Sequence, residues 1–221
     1  MEKVVGFIGL GTMGAGMARN VLARGASLLV HDVATNVAAP LLEEGAQWAQ
    51  SPRELAETAD VIFLSLPGPR EVEAVCLDSE TGLIAGARPG AVVFDLSTNS
   101  PTVIRAIHAA LDEKGIAVLD APVSGGPKGA STGSLAIWVG GDKGVFERHL
   151  DYLEAIGNQV SYIGDIGAGA IAKLVHNAAG YAVQAAMAEA FTAGVKAGVD
   201  PLALWAAIRQ GNRGRRRTFD N

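Results

Sequence analysis

Lys173 is the residue of this chain that most needs a chemical reason. Between Ile166 and Val195 only Lys173 and Glu189 carry a formal charge, among a majority of Ala, Val, Leu and Ile. The segment from Gly167 to Val199 therefore reads as one long, largely buried helix. Lys173 and Asn177 are four residues apart and share a helix face, with Gly169 one turn before and Gly180 about one turn after, so that face can admit a small ligand. A desolvated lysine loses its proton more easily, which brings it toward the working range of a general acid and base. The alternative is a lysine that snorkels its ammonium to solvent.

Two glycine-rich stretches supply the other candidates. Gly9-Leu10-Gly11-Thr12-Met13-Gly14 follows the β-prone run Val4 to Ile8 and leads into a helix with Met13, Met17 and Val21 on one face, stopped by Gly25. A second strand, Ser27 to His31, ends at Asp32, 21 residues after Gly11. Strand, glycine turn, helix, strand and acid together form a dinucleotide-binding unit. Gly9 permits the tight turn, Gly11 the approach of backbone to pyrophosphate, and Gly14 the close packing of helix on strand; Thr12 and Met13 lie within the same turn. Asp32 can accept from the ribose hydroxyls and would repel a 2′-phosphate, so NAD is expected over NADP; the competing reading is that it merely caps the turn before Val33. The second stretch, Asp120-Ala121-Pro122-Val123-Ser124-Gly125-Gly126-Pro127-Lys128-Gly129-Ala130, sets a hydroxyl beside backbone N–H groups that no side chain shields, which suits a carboxylate. It is read as a loop, and a plain connector into the strand Ser134 to Val139 is the alternative.

The remaining elements alternate. Ser51-Pro52 and Ser100-Pro101 each put an N-cap before a proline at the first helical position, the second opening a helix with Val103, Ile104, Ile107 and Leu111 inward. Between them, Val61 to Leu66 and Ala91 to Leu96 are near-continuous apolar runs, as in parallel strands covered on both faces. Leu66, Pro67 and Thr98 stand where such strands end, and open α/β sheets bind ligands there; these loops are cofactor contacts or only turns. A strand at Ile116 to Leu119, a helix capped by Asp142 with Phe146, Leu150 and Leu153 inward, and a strand at Asn158 to Ile163 complete the set. After the long helix, Asp200-Pro201 opens another that is expected to bury Leu204, Trp205 and Ile208. The fold class is thus α/β: a Rossmann-type domain over residues 1–164, then a helical domain over residues 165–221 that begins with the long helix.

Composition narrows the function. A formal charge of -5 gives no footprint for nucleic acid, and the cluster Arg213, Arg215, Arg216 and Arg217 reads as a solvated loop. Cys76 is the only cysteine, which fits a reducing compartment, and Met1-Glu2-Lys3 runs straight into the first strand, so a cytoplasmic protein without a targeting segment is expected. His176, Asn177, Gln184 and Glu189 interrupt the long helix, so no membrane span is expected. No metal-ligand cluster is seen.

With these residues in place, the sequence resembles the β-hydroxyacid dehydrogenase family, which includes 3-hydroxyisobutyrate dehydrogenase and tartronate semialdehyde reductase. The motifs that carry the resemblance are Gly9 to Gly14, Asp120 to Gly126, and Gly167-Ala168-Gly169-Ala170-Ile171-Ala172-Lys173-Leu174-Val175-His176-Asn177. The resemblance implies that Ser124, Gly125 and Gly126 hold the substrate carboxylate, that Thr98 contacts the nicotinamide ribose, that Lys173 is the catalytic acid/base, and that Asn177 orients it or the substrate. The implied activity is hydride exchange between NAD and a small β-hydroxyacid or semialdehyde. The 6-phosphogluconate branch of the family carries a glutamate acid where this chain has Gly180, so decarboxylation is not expected; imine reductases usually replace the lysine. A nicotinamide-binding module without turnover is the reading from another class, and an imine-reductase-like enzyme is a further alternative. Family members usually continue for several tens of residues, so the helical domain is expected to be incomplete at the C-terminus. The long helix is expected to pair as a homodimer or homotetramer.

Overall fold

The computed structural model describes residues 3–211, so Met1, Glu2 and the arginine cluster from Arg213 to Arg217 lie outside the described residues. Two compact units divide between Lys173 and Leu174, inside the long helix. The first contains strands β1 (Val4–Ile8), β2 (Ser27–His31), β3 (Gln47–Trp48), β4 (Val61–Leu64), β5 (Val92–Asp95), β6 (Ala117–Asp120), β7 (Val123–Ser124), β8 (Leu135–Gly140) and β9 (Gly157–Gly164). Between them run helices α1 (Gly14–Ala23), α2 (Ala39–Glu43), α3 (Pro52–Thr58), α4 (Pro69–Leu77), α5 (Leu83–Gly86), α6 (Pro101–Asp112), α7 (Gly126–Thr132), α8 (Lys143–Arg148) and α9 (Leu150–Ile156). Helix α10 (Ala168–Lys196) crosses from the first unit into the second, where α11 (Pro201–Gln210) follows.

One sheet runs in the order β3-β2-β1-β4-β5-β6-β8-β7, with β9 alongside β8. From β3 to β6 every pair is parallel; β8 is antiparallel to β6 and β7. The order reverses at β1, which has β2 on one side and β4 on the other, so a crevice opens at the strand ends between them. Residues Val61 to Leu64 and Val92 to Asp95 are all buried. Their side chains alternate between two cores, Val5, Phe7, Phe63 and Phe94 on one face and Ile8, Ile62, Leu64 and Val93 on the other. Phe63 and Phe94 stack at 5.4 Å between ring centroids.

Both serine caps form. Ser51 Oγ accepts from the Glu54 N–H at 3.1 Å and Ser100 Oγ from the Thr102 N–H at 3.3 Å, each ahead of a proline. Strand β4 is two residues shorter than expected because the Leu66 N–H turns to Ser97 Oγ, 2.9 Å away, and leaves the ladder.

Three further expectations change. The stretch from Asp120 to Gly133 is not a plain loop: β7 pairs with β8, and α7 follows, ended by Gly133 at φ +64°. Glycine content signals permissive backbone, and a short helix uses that freedom as readily as a loop. Second, α10 is not largely buried in this chain, since only Gly169 and Ala170 are; Leu174, Val175 and Tyr181 are exposed. Third, α11 has no buried residue, and Trp205 remains 37% exposed, with its ring edge against Phe191. Among the described residues no helix is long and apolar enough to cross a membrane.

Candidate active site

The crevice at β1 holds a cavity of about 520 Å³, lined by Gly9, Gly11, Thr12, Met13 and Gly14 on one side and by Asp32, Leu66 and Pro67 on others. Each glycine has a separate reason. Gly9 sits at φ +92°, and a Cβ there would collide with the Ser65 carbonyl. A Cβ at Gly14 would collide with the Gly9 carbonyl, so helix and turn touch backbone to backbone. At Gly11 an added Cβ would meet nothing within 4 Å. The backbone at Gly11 is therefore open toward the cavity. Asp32 already works within the protein, accepting from the Leu10 N–H at 2.6 Å and the Ala34 N–H at 2.8 Å. His31, Val33, Glu71 and Val75 also line the cavity, and sequence reasoning had not singled them out.

A second cavity of about 340 Å³ adjoins it through shared Met13, Leu66 and Pro67. Its other walls include Thr98, Ser124, Gly125, Gly126 and Lys173, so residues far apart in the chain meet in one cleft. Lys173 is the one charged side chain among the described residues lining it. Burial pushes its ammonium pKa down from the usual lysine value. The ammonium also lies over the Trp138 ring, 5.9 Å from its centroid. Asn177 falls in the second unit, further along the same helix. Among the described residues no group of three His, Cys, Asp or Glu side chains could hold a metal.

Two buried carboxylates at strand ends had not been singled out as site residues. Asp95 ends β5, fully buried, and accepts from the Ser97 N–H at 3.0 Å and Asn99 Nδ2 at 2.8 Å. Burial pushes its pKa up to about 6, opposed by those hydrogen bonds. Asp120 ends β6 and accepts from the Gly167 N–H at 2.7 Å and the Ala170 N–H at 2.6 Å. An acid closing a buried strand was the available signal, but its partners lie too far along the chain to be read.

A family model described as the NAD binding domain of 6-phosphogluconate dehydrogenase matches residues 4–164. An NAD-dependent L-serine dehydrogenase of Pseudomonas aeruginosa is 41% identical over 96% of this chain and 71% of its own length. A 3-hydroxyisobutyrate dehydrogenase of the same organism is 38% identical over 95% of this chain and 70% of its own. Among solved structures, a Mycobacterium tuberculosis 3-hydroxyisobutyrate dehydrogenase with L-serine superposes with a TM-score of 0.87 at 35% identity, covering 99% of this chain and 74% of that one. A Streptomyces aurantiacus imine reductase shares the fold at 23% identity and a TM-score of 0.82.

Proposed function

Since this chain belongs to the β-hydroxyacid dehydrogenase family, we propose that it oxidises a small β-hydroxyacid, or reduces the matching semialdehyde, with Lys173 as general acid and base. The observation that carries this reading is the placement of Lys173, partly desolvated, in a cleft shared with Ser124 and the Thr98 loop. We take residues 1–164 as the cofactor domain and residues 165–221 as the helical C-terminal domain, a division supported by the family match at 4–164.

Residues of the fingerprint turn, Asp32, Leu66, Pro67 and Thr98 would hold NAD, and the open space over Gly11 fits its pyrophosphate. When bound, the nicotinamide supplies or takes up the hydride. The protein's own residues do the rest. Ser124, Gly125 and Gly126 anchor the substrate carboxylate through a hydroxyl and backbone N–H groups. In oxidation neutral Lys173 Nζ takes the hydroxyl proton; in reduction the ammonium gives it back to the forming alkoxide. Asn177, four residues after Lys173 in the sequence, would orient the lysine or the substrate. Met13, Leu66, Leu96 and Val123 supply apolar wall to the cleft that Lys173 lines.

Lys173→Met keeps length and apolar character and removes the proton carrier. Turnover should fall by ~10²-fold or more while NADH binding stays within experimental scatter. Steady-state kinetics on short 3-hydroxyacids, with NADH titrated by fluorescence, check both. In the unmodified protein the direction of chemistry fixes the pH sign: oxidation should accelerate as pH rises through the lowered lysine pKa, and reduction should slow. Tight NADH binding with no turnover on any short hydroxyacid or semialdehyde would favour a binding module.

A further inference from the structure

Lys173 can serve as acid and base only if its nitrogen stands at a fixed place in the cleft, and that place is set where α10 begins. The N-terminal turn of a helix leaves its amides without intrahelical partners. Here two of them, on Gly167 and Ala170, donate to the two oxygens of one carboxylate, that of Asp120 on β6. From the other side Arg105 Nε donates to the Ile166 carbonyl at 3.1 Å. The start of the helix is therefore gripped through its amides by one element and through a carbonyl by another. Glycine clears the space for the grip. A Cβ at Gly169 would run into the Trp138 and Asp120 carbonyls, and Gly167 turns the chain at φ +91°.

The neighbouring strand repeats the arrangement toward the cofactor. Asp95 pairs in register with Asp120 on adjacent parallel strands. Asp95 holds the Ser97 and Asn99 side of the loop that carries Thr98, and Ser97 Oγ in turn holds the Leu66 N–H. Two adjacent carboxylates thus each fix one wall of the cleft, and the backbone ladder between β5 and β6 sets their spacing.

We propose that Asp120 is a positioning residue for Lys173, clamping the first turn of α10 so that the lysine nitrogen is held at its working place relative to the cofactor loops fixed by Asp95. This rests on the acid/base reading of Lys173. Lys173 follows Ala170 by three residues, within one turn of a rigid helix, so a displaced helix start moves it directly. Displacement on the order of 1 Å at a reacting group can cost ~10²-fold in rate. Burial raises the Asp120 pKa, while its two backbone N–H partners and the charge of Arg105 oppose that; Asp95 faces it from β5. A helix N-terminus favours the ionised form.

Asp120→Asn is nearly isosteric but presents an NH2 group to one of the two backbone donors. Expected is a kcat for hydroxyacid oxidation lower by ~10-fold or more, with KM and NADH Kd within about threefold of the parent. The pH limb assigned to Lys173 should move upward as its ammonium gains water. Asp95→Asn should instead weaken NADH binding. In a Lys173→Met background Asp120→Asn should cost nothing further, because it acts through the lysine. Should Asp120→Asn fail to fold, Arg105→Met removes the exposed arm of the clamp and should give a smaller kcat loss, about threefold, with the same sense of pH shift. A lowered Tm with unchanged kcat and an unmoved pH limb, in whichever of the two variants folds, would overturn the proposal. So would a further loss in the double variant. Near-normal turnover of Lys173→Met alone would remove the acid/base reading first, and this proposal with it.

Discussion

Asp32 carries two backbone N–H groups before any ligand reaches it. A carboxylate offers about four lone-pair sites, so accepting from Leu10 and Ala34 leaves two for the ribose hydroxyls. Capping the turn and reading the ribose are compatible roles, because the cap holds the carboxylate at the rim of the cavity. We therefore expect NADH to bind better than NADPH by roughly 2 to 4 kcal/mol, the scale of like charges forced together at an interface. Val33 beside it is almost fully exposed, free to be replaced by a cation. Asp32→Ser with Val33→Arg should narrow or invert the preference in paired fluorescence titrations, and equal affinities in the unmodified protein would contradict the assignment.

At the scale of the element, the turn between β1 and α1 separates binding from folding. Gly14 lies where a Cβ would strike the Gly9 carbonyl, so Gly14→Ala must push α1 off the turn. Gly11 faces open space, so Gly11→Ala disturbs only what enters the cavity. Overpacking against a rigid neighbour costs about 1 to 3 kcal/mol, and backbone yields less than side chain. Gly14→Ala should thus lower both Tm and NAD affinity, whereas Gly11→Ala should leave Tm within a degree or two and weaken NAD alone. Differential scanning fluorimetry with and without NADH separates the two cases. Equal Tm losses would mean that the turn is not organised as described.

For the molecule as a whole the exposed side chains of α10 matter most. Val175 and Tyr181 are 63% and 67% exposed, and Ile171, Leu174 and Val183 are also exposed. Exposed apolar side chains gathered along one helix are the composition of an interaction surface. We expect two copies to pair through these helices about a twofold axis, since a self-complementary face closes most simply that way. Sedimentation should show a dimer or larger assembly, and Val175→Glu with Tyr181→Glu should shift it toward monomer. A monodisperse monomer of the unmodified chain would reject the pairing.

The sequence by itself determined whatever depends on near neighbours. The glycine turn, the acid closing β2, the serine-proline caps and the doubly buried strands all follow from spacing and propensity within a few residues. Lys173 and Ser124 were also legible, because a lone charge in an apolar helix and a hydroxyl among glycines are conspicuous locally. Only the tertiary structure decided that these two and Thr98 line one cleft, since that depends on strand order and on the antiparallel return of β8 beside β6. It alone decided the work of Asp95 and Asp120. The Asp120 hydrogen bonds span 47 and 50 residues, and no periodicity reaches that far. The helical form of the Gly126 to Thr132 stretch was equally out of reach, because glycine is compatible with nearly every backbone conformation and leaves the choice to packing against β8 and α1.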